Sequence, residues 1–153
     1  MMKILFFRID QGTRTGEVIM KSAVQQLSFD YGAGKYRVFL LATVTGDGLI
    51  VQLLGGQKPH VGAVVLSQPR ASLARPGEVS CNSVVVPRLG HKDDEIAKPL
   101  AERLTRALNT PVAVVAGLHI ESASPEEIDI LIENCNQVTA MLLSQLGILA
   151  NFG

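Results

Sequence analysis

Three histidines, His60, His91 and His119, are the groups in this chain best suited to chemistry near neutral pH. Each stands at the edge of an apolar run and close to a glycine. His91 belongs to the densest polar stretch, Gly90-His91-Lys92-Asp93-Asp94-Glu95, which separates a strand-like segment from a helical one. A glycine there permits a tight turn or a close ligand approach. A helix that follows offers unpaired N–H groups and its positive dipole end to an anion, and Lys92 adds a permanent cation. Asp93, Asp94 and Glu95 equally suit the solvated first turn of a helix, and could also ligate magnesium beside a phosphate.

Two chemistries fit the histidines. One is a three-histidine metal site with an open position for water, as in a small metal-dependent enzyme. The other, which the spacing favours, is an organic-ligand pocket edged by imidazoles, because no HExxH or i, i+4 pair is present. No metal ligand is therefore assigned. Arg70 and Arg75, with Ser72 between them, lie in an irregular stretch, and Ser80 and Ser83 flank the next strand. Guanidinium forks and hydroxyls suit a phosphate or carboxylate, as well as an ordinary solvated loop. The chain has no GxSxG elbow, GxGxxG turn or Walker loop. Cys81 and Cys135 lie in apolar patterns without CxxC spacing, which reads as two buried, reduced thiols.

The elements that must position these groups can be read from periodicity. At 153 residues, 47% hydrophobic and 18% charged, the chain is expected to be one domain spanning 1–153 with an aliphatic core, since aromatics are only 5%. Zero formal net charge excludes the basic footprint of a nucleic-acid binder. No apolar run reaches the ~18 residues of a membrane span, and the run before Arg8 is too short for a signal peptide, so a cytoplasmic protein is expected.

Strands are expected at 17–30, 36–45, 49–54, 60–67, 80–86 and 111–120, the second and third as a hairpin across Gly46-Asp47-Gly48. Gln68 to Glu78 reads as an exposed loop. Ile96, Leu100, Leu104 and Leu108 predict a helix in which Pro99 marks either the start or a kink. Ser124-Pro125-Glu126-Glu127 predicts a capped helix whose apolar face runs from Ile128 to Leu149. This order argues for an α+β fold, a mostly antiparallel sheet with two helices packed on one face. The apolar stretch from Leu146 to Phe152 exceeds what a surface helix needs, so a homodimer is expected.

Several blocks in order, HVGAVV from His60, QPRASL from Gln68, GHKDDEIA from Gly90, VVAGLHI from Val114 and SPEEI from Ser124, resemble the prenylated-flavin chaperone (LpdD-like) domain family. The resemblance covers roughly residues 50 to 135, with Pro99 as a departure. It implies a fold similar to small proteasome-assembly chaperones. It also implies a non-enzymatic accessory protein that binds prenylated FMN (or FMN) and delivers it to, or protects it for, a UbiD-type decarboxylase. The residues and that resemblance together lead to His60, Arg70, Ser72, Ser83, His91, Lys92 and His119 as the expected cofactor-binding positions. Arg70, Ser72 and Lys92 would meet the phosphate, and His60 and His119 the ring system. A protein that only binds other proteins during assembly is the remaining alternative.

Overall fold

Alternation of apolar and polar residues builds one sheet in the computed structural model, which describes residues 24–150. Its strands are β1 (Gln25–Tyr31), β2 (Val38–Val44), β3 (Leu49–Gly56), β4 (Ala63–Ala71), β5 (Val79–Pro87) and β6 (Val112–His119). They lie in the order β1-β2-β3-β6-β4-β5. All neighbours are antiparallel except β3 and β6, which run parallel. The hairpin expected between β2 and β3 forms, with the Thr45 N–H donating to the Gly48 carbonyl at 2.9 Å. β6, the apolar strand expected at 111–120, is the inner strand between β3 and β4.

Helix α1 (Asp94–Leu108) lies on β4, β5 and β6, and α2 (Pro125–Ala150) on β1 and β2. Leu40, Leu53, Val65 and Val114 from the sheet meet Leu104, Val138 and Leu142 from the helices, all with 0% exposure. Burial of each such side chain is worth about 1.5–3 kcal/mol relative to leaving it in water. The capping box closes as its sequence requires: the Glu127 N–H donates to Ser124 Oγ at 3.3 Å, and the Ser124 N–H to Glu127 Oε2 at 3.1 Å. Glu127 also takes Lys35 and the Tyr36 hydroxyl, which ties the turn before β2 to α2. Lys35 first, then the Ser124 N–H and Tyr36, hold the Glu127 carboxyl at about 2. Among the described residues no helix is long and apolar enough to cross a membrane.

Four expectations need correction. β4 begins at Ala63 rather than His60 and continues to Ala71, so the loop expected from Gln68 shrinks to residues 72–78. Pro69 is tolerated because β4 there has outrun β6, whose pairing ends at Ser67, and keeps a neighbour on one side only. Helix α1 starts five residues before Pro99, which sits inside it on the exposed side. Cys81 is half-buried on β5, while Cys135 is buried and its thiol is pushed up to about 12 by that burial. The early part of the strand expected at 17–30 lies outside the described residues.

Among the described residues, nothing covers the face of the sheet away from the helices, and it is apolar. Phe39, Leu41, Ile50, Val64, Leu66, Val84 and Val86 share it by register and are 40–63% exposed.

Candidate functional site

Topology gathers the histidines. β5 ends, and β6 ends, where β4 begins, because both are antiparallel to it. His60 precedes β4, His91 follows β5 and His119 closes β6, so all three meet at one end of the sheet. The His60 and His91 ring centroids are 4.6 Å apart, and those of His60 and His119 are 6.3 Å apart, edge to face. The segment carrying His60 is pressed onto β6, and Gly117 leaves room for it: a side chain there would collide with the His60 carbonyl.

Asp93 lies at the centre, with 6% exposure. Its Oδ1 accepts the Leu118 backbone N–H at 2.8 Å, and its Oδ2 lies 3.0 Å from His60 Nε2 and 3.6 Å from His91 Nδ1. Gly62 makes this possible, because any Cβ there would collide with the Asp93 carboxylate. His60 Nδ1 donates to the Lys58 carbonyl at 2.9 Å, since a carbonyl can only accept. In the neutral ring that leaves a lone pair on Nε2, aimed at a carboxylate oxygen. Two electron-pair donors so placed require a cation between them, of which a proton is the simplest.

A cavity of about 470 Å³ opens beside this cluster, within the size range of small-molecule sites. Its polar rim is His91, Lys92, Asp93, Glu95 and His119, and its wall includes Ile96 of α1, Leu118 of β6, Ile120 just after it, and Ile128, Leu131 and Ile132 of α2. Lys92 is exposed. The N–H groups of Glu95, Ile96 and Ala97 already donate to the carbonyls of Lys92 and Asp93. Helix-start N–H groups are thus partly committed, which leaves the Lys92 side chain as the cation at this rim. Glu121 lies outside it, 2.7 Å from Lys58 and 3.5 Å from His119 Nε2. Lys58 first and His119 second hold its carboxyl below the usual range. A second hollow of about 410 Å³ on the open sheet face is lined by Ile50, Gln52, Leu54 and Val115, and reaches His60 from the other side.

The other expected site residues lie elsewhere. Arg70 is at the far end of β4, about 23 Å beyond Ala63 at some 3.3 Å per residue. Its guanidinium donates to Asn82 Oδ1 and the Ala71 carbonyl. Ser72 caps the turn there, accepting the Arg75 N–H. Ser83 bonds Ser67 and Glu102 at the α1 side of the sheet. The structure therefore brings together His60, His91, Lys92 and His119, and does not bring Arg70, Ser72 or Ser83 to them. Sequence reasoning left Asp93 among helix-start carboxylates, yet no side-chain cap forms and the carboxylate turns inward. Its signal was in Gly62 and Gly117, which have no turn to make and are small because other groups press on them.

The architecture is that of a small α+β domain, a six-stranded, mostly antiparallel sheet with two helices. It is similar to a chain of a chaperone complex for yeast 20S proteasome assembly, with 19% identity and a TM-score of 0.52 over 82% of this chain and 97% of that one. At that identity the likeness shows the fold alone. The sequence narrows it further: residues 32–147 match the prenylated flavin chaperone LpdD-like domain, and the chain belongs to that family. No curated protein matches the sequence.

Proposed function

We propose that this protein binds prenylated FMN without transforming it, in the cavity between α1, α2 and the end of β6, and hands it to a UbiD-type decarboxylase. The observation that carries the reading is one apolar-walled cavity edged by His91, Lys92 and His119, in a chain of the prenylated flavin chaperone family. An isoalloxazine is a flat apolar body with polar edges, which suits aliphatic walls and imidazole rims. Its phosphate dianion needs a cation if even partly buried, and Lys92 meets that need. His60 supports the rim from behind through Asp93.

A homodimer in the cytoplasm is part of the same proposal. The sheet face away from the helices supports the dimer, because seven large apolar side chains lie together on it, each 40–63% exposed. Light scattering at micromolar concentration should give twice the 16.4 kDa chain mass; the single mass counts against it.

The functional test is transfer. Protein loaded with prenylated FMN is mixed with an apo decarboxylase of the UbiD type, and carbon dioxide release is followed. The loaded protein should restore activity faster than the same amount of free cofactor and release none alone. Equal rates with and without the protein would remove the chaperone role.

A further inference from the structure

We propose that His60, His91 and Asp93 form a binding site for one divalent first-row transition-metal ion, a site that stands independently of whether flavin binds. The ligand-capable atoms of the three residues all lie within 4.8 Å of one another. Donors held at 2.0–2.2 Å from one ion are about 3.0 Å apart in octahedral geometry and about 3.4 Å in tetrahedral geometry. The observed His60 Nε2–Asp93 Oδ2 and His91 Nδ1–Asp93 Oδ2 separations, 3.0 and 3.6 Å, bracket those values.

The surroundings are those a metal site needs. Ligating imidazoles typically donate their other ring N–H to a carbonyl or carboxylate, which fixes the tautomer; His60 Nδ1 does so to Lys58. The ligating carboxylate is in turn oriented by a hydrogen bond, here from the Leu118 N–H to Oδ1, which leaves Oδ2 for the ion. Nε2 and Oδ2 converge as two lone pairs that a cation must reconcile. Two imidazoles and one carboxylate select zinc, iron(II), manganese or cobalt rather than calcium or magnesium. His91 and Asp93 also line the cavity, so the ion's remaining positions are reached from it.

The test uses the full chain, untagged, stripped with chelator and free of flavin. Cobalt(II) and zinc(II) are added while visible absorbance, calorimetric heat and Tm are followed. One ion per chain is expected, with cobalt d–d bands and a zinc-dependent rise in Tm. Asp93→Asn keeps an oxygen for the Leu118 N–H and offers an amide N–H to His60 Nε2, so it folds while removing the anionic ligand. His91→Ala, on the half-buried loop, is the second variant. Each should weaken binding at least about tenfold to a hundredfold, the loss expected for even an outer-shell partner. The site is overturned if neither metal binds at tens of micromolar, or if binding survives both substitutions. Because no flavin is present, that failure leaves the flavin reading untouched.

Discussion

Replacement of Asp93 by alanine should be among the most damaging single polar changes in this protein, although its neighbours in sequence are ordinary surface charges. The carboxylate is 6% exposed and is the partner of the Leu118 N–H, itself on a residue with 8% exposure. Leaving a buried donor unsatisfied costs about 1–3 kcal/mol, and the lost bond to His60 adds about 1 kcal/mol. Asp93→Ala should therefore lose about 2–4 kcal/mol, a large share of the 5–15 kcal/mol typical of a whole domain. Asp93→Asn preserves the oxygen that accepts from Leu118 and supplies a donor for His60, so its cost should be within about 1 kcal/mol. Urea unfolding in chelator-treated buffer measures both, and an unchanged slope shows that stability alone has shifted. If the alanine variant costs no more than the asparagine variant, Asp93 is not the buried hub described above.

Three other expectations follow from the geometry. Gly117→Ala places a Cβ on β6 into the His60 carbonyl, so one of the two backbones must shift, and should cost about 1–3 kcal/mol by urea unfolding. The Glu127 carboxyl, held at about 2 by Lys35, stabilises the fold above its ordinary value of 4.5 and loses that contribution as pH falls from about 4.5 to about 2. Glu127→Gln should accordingly flatten the acid limb of a stability-against-pH curve, and an unchanged limb counts against the Lys35–Glu127 contact. Lys92→Ala should weaken prenylated FMN binding about tenfold, the worth of one charge-assisted hydrogen bond, while Arg70→Ala, at the opposite end of β4, should change it less than about twofold. Equal losses would point to general electrostatics rather than to this cavity.

Strand and helix periodicity made most of the fold legible, because each strand of this sheet buries one face and each helix one stripe. Ser124 and Glu127 announced the start of α2 through chemistry that operates locally. The length of the β4–β5 hairpin is not legible in the sequence because Pro69 and Arg70 look like loop residues, and only the sheet shows that β4 there has lost one neighbour. The histidine cluster could be suspected from His60, His91 and His119. Its assembly depended on strand order, which places the start of β4, the end of β5 and the end of β6 side by side. Arg70 and Ser72 share anion-binding chemistry with Lys92, and distance along β4 separates them from it. Asp93 was hidden because an aspartate before a helix ordinarily caps it, and its inward turn depends on Gly62, some thirty residues away.

Direct titration of the purified protein with prenylated FMN, followed by calorimetry, tests the central claim most closely. The account predicts saturable binding with a Kd below tens of micromolar and one flavin per cavity, weakened at least about tenfold by Ile132→Arg, which puts a charge into the apolar wall. No heat at tens of micromolar, or binding indifferent to that substitution, would contradict it.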